Sequence, residues 1–586
     1  MTLATLDTAA PPVPAGRRRP GARRFPLAAL WLNAPLIIIL LLLVVMPLVF
    51  VIYGALQSSM PGDPASSFTL QSLQKVYASS WYVSTYLGTA ALAAGIAVSS
   101  TLLGSIFAWL VGRTNVPGGG AMEVLLIAPL FVSPFLGAIA WVVLAGPNAG
   151  MINDLYRAIT GGGPRDYLIN IMTPVGVGFV VLLYYTPYAF VFVLSALRNM
   201  DPSLEEASYL NGANKLQTAL RVTFPVIRPA VGAAFFFIVV LGCGIFTVPT
   251  VLLTSGGFAP LAELIQRSFN NYPPQPALGA ALGTVMLIVT SIGIMFYRRS
   301  IAQAAKFVTL TGKGFRPRPV RLGAAAKVIS VAAMVIFVML GVVLPYATLL
   351  FISVAPYSSS GADAIRFSFG TWWTVLTSAS LHSALKNSLL VGIIVPSITV
   401  VLGLAVSYAV NRGRGPGRAL IDYLSTIPVA VPGLIIGVGM VWAYITTPLY
   451  ATLALLVIAF VCEYLPYASR MSGNAMLQID KSLEEASWIN GAGKLQTVWK
   501  VTVPLVRQTV LATWLMLFIF ATREISAAVV LYSPNSTLLS VLSWNYESDG
   551  SMSQAAIVGL VQTALMLVVA ALSRLIFRVR LGRVAA

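Results

Sequence analysis

The chain has 586 residues, 58% of them hydrophobic and only 9% charged, with a mean hydropathy of +0.85. Such values exclude an ordinary water-soluble globular protein and point to an integral membrane protein. The net charge of +19 would suit nucleic acid, but its placement along the chain supports another reading.

The first 30 residues form a basic tail carrying Arg17, Arg18, Arg19, Arg23 and Arg24. The apolar run from Leu36 to Tyr53 is too long for the core of a signal peptide and has no small-x-small exit, so it reads as a retained anchor. Runs of ~18 or more apolar residues mark spanning helices. In chain order such candidates centre on Leu43, Ala97, Phe135, Leu183, Val239, Leu287, Phe337, Val400, Gly437, Ala459, Phe518 and Met566. A barrel would show a series of ~10-residue alternating segments, and none is present. The predicted fold class is an all-α integral membrane protein of about twelve transmembrane helices.

The basic residues sort to one side of that topology. Arg113 follows the second span, Arg298 and Arg299 the sixth, and Arg412, Arg414 and Arg418 the eighth; Arg578, Arg580 and Arg583 close the chain. The positive-inside rule makes that side the cytoplasm and places both termini there. The basic excess therefore reads as orientation and attraction to anionic lipid rather than nucleic-acid binding. Cys243 and Cys462 both fall inside predicted spans, where they read as packing residues with no disulfide or zinc spacing.

The chain repeats itself. Ser203 to Arg228 and Ser482 to Arg507 are identical at 17 of 26 positions, and the polar island SLEEASYLNG recurs as SLEEASWING. Tyr185-Thr-Pro187-Tyr188 recurs as Tyr464-Leu-Pro466-Tyr467 at the same offset, and Pro129-x4-Pro134 echoes Pro428-x3-Pro432. The organisation that follows is a tail (1–30), a first six-span domain (31–297), a flexible basic linker (298–327), a second six-span domain (328–577) and a tail (578–586). An even number of spans per repeat gives both halves the same orientation, with a pseudo-twofold axis along the membrane normal and a pathway between the halves.

Lipid restricts the alphabet of a span, whereas a water-facing loop matches itself only for a reason. Ser203 with Glu206, and Ser482 with Glu485, fit a capping box opening a short helix. Asn211-Gly212 and Asn490-Gly491 tolerate the positive φ that ends it. A second amphipathic helix is expected over Lys215 to Arg221 and Lys494 to Lys500, before Pro225 and Pro504 lead back into the membrane. Each loop would be a small cytoplasmic knob.

These residues carry a resemblance. Glu206-Ala207-Ser208-x3-Gly212-x9-Val222-x-Phe224-Pro225 and Glu485-Ala486-Ser487-x3-Gly491-x9-Val501-x-Val503-Pro504 resemble the EAA motif of binding-protein-dependent ABC importer permeases of the type I fold, with Ser in the motif's third position. The resemblance implies that Glu205, Glu206, Ala207 and Gly212, and Glu484, Glu485, Ala486 and Gly491, couple the chain to two copies of a cytoplasmic ABC ATPase. Glu206 and Glu485 would contact that partner. ATP and Mg would belong to the ATPase, since the chain has no G-x4-G-K-[ST] phosphate loop: Gly493-Lys494 is followed by Leu495, with Trp at position 488. No cofactor is expected on this chain. A periplasmic or lipoprotein solute-binding protein would deliver the solute to the cytoplasmic membrane.

Fused double permeases of this length are similar to those of the ferric-iron importer group, with thiamine, polyamine and 2-aminoethylphosphonate importers as relatives. The segment Arg523-Glu524-Ile-Ser-Ala-Ala and the later Glu547-Ser-Asp-Gly550 look most like the iron group. Ionisable groups inside spans are costly and mark function or pairing. Three candidates occur: Glu463 in the tenth span and Arg523 and Glu524 in the eleventh. Glu463 either pairs with Arg523 or, like Glu524, faces the pathway and meets a cation. Tyr184, Tyr185, Tyr188, Tyr464 and Tyr467 could line that pathway or simply pack. His382, the only histidine, reads as a surface residue. Outer segments 57–84, 146–172, 255–275, 355–386 and 533–553 would receive the binding protein. An ion-coupled secondary transporter is the main alternative class; it would require coupling carboxylates and no tandem docking loops.

Overall fold

The computed structural model describes residues 27–577 except 61, 202, 254–257, 305–319, 356–366 and 414–416. The tail arginines 17–24 and 578–583, Arg414 and the middle of the linker lie outside these. Among the described residues there are no strands, only helices and two isolated bridges.

Among the described residues ten helices are long and apolar enough to cross a membrane. In the first half these are α1 (Asn33–Ala55), α2 (Ser80–Arg113), α5 (Pro174–Asn199), α7 (Ala219–Gly244) and α8 (Pro276–Ser300). The second half supplies α9 (Ala324–Val354), α10 (Ala379–Asn411), α13 (Leu453–Leu477), α15 (Leu495–Arg523) and α16 (Met552–Ser573). The crossings expected around Phe135 and Gly437 are not continuous helices. α3 (Gly119–Phe131) meets α4 (Pro134–Ala145) at 91°, and α11 (Arg418–Ala430) meets α12 (Gly433–Tyr444) at 108°. Proline explains both breaks: the residues before Pro134 and Pro432 are extended, with ψ of 122° at Ser133 and 112° at Val431, as the following ring requires.

The bent pairs nevertheless carry the chain across. Arg113, at the end of α2, donates to the Leu197 carbonyl near the end of α5 at 2.8 Å. Arg412, just after α10, donates to the Met476 and Ile479 carbonyls at the end of α13 at 3.1 and 2.8 Å. The ends of α2 and α5 thus share one face, and α5 begins on the other, so residues 119–145 must traverse. The same holds for 418–444. Each half makes six crossings, and the repeated loops after α5 and α13 emerge on the same face.

Four spans contain a π-turn, at Leu41–Val45, Ala219–Thr223, Met339–Val343 and Val498–Thr502. Each is followed by one residue and then a proline: Pro47, Pro225, Pro345 and Pro504. A proline ring clashes with the carbonyl four residues back and offers no N–H to it. Widening the preceding turn gives that carbonyl room, and the residue before each proline bonds five residues back instead, as Phe224 does to Ala219 and Val503 to Val498. The second amphipathic helices expected before Pro225 and Pro504 are therefore not separate elements. Lys215–Thr218 runs unbroken into the π-turn that opens α7, and Lys494–Thr497 forms the first turn of α15 ahead of its π-turn.

The halves exchange arms. α1 packs against α12 of the second half and α9 against α4 of the first, with Gly439 allowing α12 to lie directly on the Pro47 backbone. Buried side chains from both halves form one continuous core. The described end of the linker is tied down, contrary to a uniformly flexible connector: Val320 bridges Thr114, Asn115 accepts from the Leu322 N–H, and Lys215 donates to the Arg321 carbonyl. The outer segments contain short helices, including Met151–Thr160, Leu261–Asn270 and Leu539–Ser548. The last of these is largely buried between Leu539 and Trp544.

Candidate functional site

Two matching knobs stand on one face. Their helices, α6 (Ser203–Leu210) and α14 (Lys481–Ile489), begin without the expected capping box. The Ser203 and Ser482 N–H groups instead donate to the Asp201 and Asp480 carboxylates, each at 2.9 Å. An aspartate two residues ahead reaches the free amide better than the serine does, and it places negative charge at the helix start. The Ser482 N–H in turn holds the Asp480 carboxyl below the usual carboxylate range. Gly212 and Gly491 end the helices at φ of +81° and +83°, and a Cβ there would meet nothing within 4 Å. Replacing Gly491 by Ala is therefore expected to cost only about 1–2 kcal/mol of local conformational strain, read as faster proteolysis within the knob while the spans stay protected.

The two glutamates of each Glu-Glu pair point in different directions. Glu206 is half-buried and Glu485 exposed. Glu205 and Glu484 turn inward instead. Glu205 accepts from Thr223 at 2.6 Å and lies 3.7 Å from Arg113 Nε; Glu484 accepts from Thr502 at 3.0 Å and lies 3.3 Å from Arg412 Nε. Since Arg113 and Arg412 also bond the ends of α5 and α13, each knob is knotted to three spans at once. A further bond, Ser208 to Thr218 and Ser487 to Thr497 at 2.9 and 3.0 Å, closes each knob on itself. Arg113 and Arg412, which the charge pattern reads only as orientation signals, are thus buried anchors. Outward, each knob presents an apolar tip: Leu210 is 88% exposed and Ile489, its counterpart, 86%. An apolar residue repeated within a polar island was the available signal.

From each knob one rod leads inward. α15 has 29 residues, about 43 Å at 1.5 Å per residue, and it ends at Arg523 beside a chamber between the halves. That chamber, about 190 Å³, is lined by Tyr185, Glu463, Tyr464, Arg523 and Glu524, with the two proline breaks as its other walls. All five residues proposed for the pathway therefore meet in one place. Tyr188 and Tyr467 join them, whereas Tyr184 does not; it is buried against Gly137. His382 is exposed, and Cys243 and Cys462 are buried and unpaired. Among the described residues no three His, Cys, Asp or Glu side chains gather as a metal cage.

Of the two alternatives for Glu463, the pair with Arg523 does not form. Arg523 reaches across to the first half, donating to the Leu130 carbonyl and, at 3.1 Å, to that of Val132, with its guanidinium 4.9 Å from the Phe520 ring. The α3–α4 break leaves those carbonyls without helical donors, and non-helical backbone at membrane depth must be satisfied by protein. Glu524 lies just past the end of α15 rather than within it. Its carboxylate accepts from the Ser526 N–H at 2.7 Å and the Tyr464 hydroxyl at 3.1 Å. Tyr185 and Tyr464 repeat one geometry: the Tyr185 hydroxyl donates to the Leu241 carbonyl at 3.4 Å, and the single Tyr464 proton is shared between Glu524 and the Phe520 carbonyl, 3.2 Å away. The ionisable groups do not repeat. Glu463, Arg523 and Glu524 occupy positions where the first half has Tyr184, Gly244 and Ile245.

Residues 100–306 and 399–582 match the family described as "Binding-protein-dependent transport system inner membrane component". The chain is 25% identical over 488 residues to the ferric transport system permease protein FbpB of Actinobacillus pleuropneumoniae, covering 81% of this chain and 68% of that protein. It is 26% identical over 509 residues to the probable ABC transporter permease protein y4fN of Sinorhizobium fredii, covering 84% and 87%. A crystal structure of a bacterial ABC transporter involved in the import of the acidic polysaccharide alginate aligns at 15% identity and a TM-score of 0.36, over 43% of this chain and 95% of that one. With a match on each half and well over half of its residues included, the chain belongs to the family of binding-protein-dependent transport system inner membrane components, as a fused pair of permease domains.

Proposed function

We propose that this chain is the complete membrane pathway of an ATP-driven importer, and that its cargo is ferric iron delivered by an external binding protein. The observation that carries the first part is the pair of knobs. Two equivalent apolar tips on one face, each tied by a buried ion pair to three spans, fit two copies of one rigid partner. The ATPase is the partner that such knobs and the family's transport role call for. With the basic ends of the spans on the same side, that face is the cytoplasm.

When two ATPase subunits close on ATP and Mg, both knobs move with them. α7 and α15 carry the displacement to the chamber, where their inner ends abut the proline breaks of the opposite half. Gly244 packs on Pro432, and Arg523 holds the Leu130 and Val132 carbonyls. Alternating access then consists of opening the chamber to one side and then the other.

The ferric assignment is supported by the FbpB relatives and by a chamber lined with carboxylates and phenols. It is tested with the chain, its ATPase and its binding protein reconstituted in liposomes. ATP-dependent uptake is expected with ferric ion and not with thiamine, a polyamine or 2-aminoethylphosphonate. Uptake of one of those three in place of iron would overturn it.

A further inference from the structure

We propose that Glu463 is the chamber's own ligand for a hard cation, so that the permease holds its cargo once, at a single site, on the way through. This rests on the reading of the chamber as the import pathway, and deepens it by assigning the group that meets the ion.

A buried carboxylate is costly unless something neutralises or hydrogen-bonds it. Among the described residues the chamber has two carboxyl groups and one guanidinium, and two of these three have protein partners: Arg523 is committed to the carbonyls of the α3–α4 break, and Glu524 to Ser526 and Tyr464. Glu463 is the exception. Its Oε2 is out of reach of solvent and has no hydrogen-bond partner among the described residues. The fold also keeps space for this carboxylate. A Cβ on Gly433 would lie 2.7 and 2.8 Å from its two oxygens, so the residue opening α12 must be glycine for Glu463 to sit where it does. The N-terminal end of α12 favours negative charge beside it, without supplying a bond.

The surroundings set the class of ligand. Glu463 shares the chamber with the Glu524 carboxylate and the Tyr464 and Tyr467 phenols, and among the described residues no cysteine, histidine or methionine lines it. Oxygen donors without sulfur or imidazole suit hard cations. The site is also unpaired by symmetry. In the first half the equivalent position is Tyr184, packed away from the chamber, so one cation per chain is expected where two matching halves would suggest two.

Terbium is a hard trivalent probe whose emission is sensitised by nearby tyrosine, and it reads the site in the purified full-length chain without transport. One sensitised terbium per chain is expected. Glu463→Gln keeps the size of the side chain and should weaken binding at least tenfold, with Glu463→Asp intermediate. Gly433→Ala should weaken it too, by displacing the carboxylate without altering charge. Asp549→Asn, on an exposed turn, should bind as the original chain does. An unchanged thermal midpoint in Glu463→Gln establishes that the fold survives; if that variant is unstable, Gly433→Ala with Glu463→Asp decides. Terbium bound equally by Glu463→Gln, or not bound by the original chain, overturns the proposal. Terbium binding with no ferric uptake in liposomes would instead overturn the ferric assignment and leave the cation site standing.

Discussion

Replacing Leu210 and Ile489 together by Asp is expected to abolish capture of the ATPase by the permease while leaving the permease itself folded. Both side chains are almost wholly exposed, so the substitution removes no internal packing. Surface residues away from buried features usually change stability by no more than ~0.5 kcal/mol. In a docking cleft the same residues would be central apolar anchors, and truncating such an anchor typically costs ~2 kcal/mol or more, about thirtyfold in affinity. A buried aspartate adds desolvation to that loss. Either single substitution should leave one ATPase bound and the double substitution none, checked by co-purification from detergent. Retention of both ATPase subunits by the double variant would show that the tips are not the attachment points. Glu206→Gln with Glu485→Gln should weaken capture less, because a partly exposed charge is screened and contributes ~1 kcal/mol or less.

The second large effect is expected at the anchors. Arg412→Ala strands Glu484, whose side chain is 2% exposed, and frees the Met476 and Ile479 carbonyls. Breaking one partner of a buried pair costs about 3–5 kcal/mol. The loss falls where the knob joins its spans, so two readouts should separate. The ATPase should still bind, because the tip is untouched, but stimulation of ATP hydrolysis by loaded binding protein should disappear, because the knob no longer moves the rod. Arg113→Ala should act the same way through Glu205, whose contact is longer at 3.7 Å, and with a smaller effect. Thr502→Val should be milder again, at about 1 kcal/mol for one hydrogen bond. Full stimulation in Arg412→Ala would mean that force travels by another route.

Much of this was legible in the sequence because repetition does for one chain what symmetry does for a dimer. The 17 identities between residues 203–228 and 482–507 identified the knobs, and the glycines at 212 and 491 gave their turns. Glu463, Arg523 and Glu524 stood out because charge inside an apolar span is rare, and all three reach the chamber. What escaped were features that depend on who sits opposite whom. Composition cannot show that Arg113 and Arg412 are buried, because arginine at a span end is normally an orientation signal. Hydropathy counted 119–145 and 418–444 as single spans, since their proline breaks barely change the average. The Glu463–Arg523 pair was one of two alternatives that charge alone left open. It failed because the α3–α4 break offers Arg523 two stranded carbonyls, a demand that comes from the other half of the molecule.

The asymmetry of the chamber follows from the same duplication. Once two halves are joined in one chain, each can vary where the chamber needs only one group, while the knobs, which on the proposed function meet identical partners, stay alike. That is the pattern observed: Tyr184, Gly244 and Ile245 differ from Glu463, Arg523 and Glu524, whereas Glu205, Thr223 and Leu210 are matched by Glu484, Thr502 and Ile489.

The most direct test of the account is the mass of the intact complex, measured by native mass spectrometry on the purified chain with its ATPase. Two ATPase subunits on a single permease chain are predicted. A complex of two permease chains with two ATPase subunits, or of one with one, would contradict it.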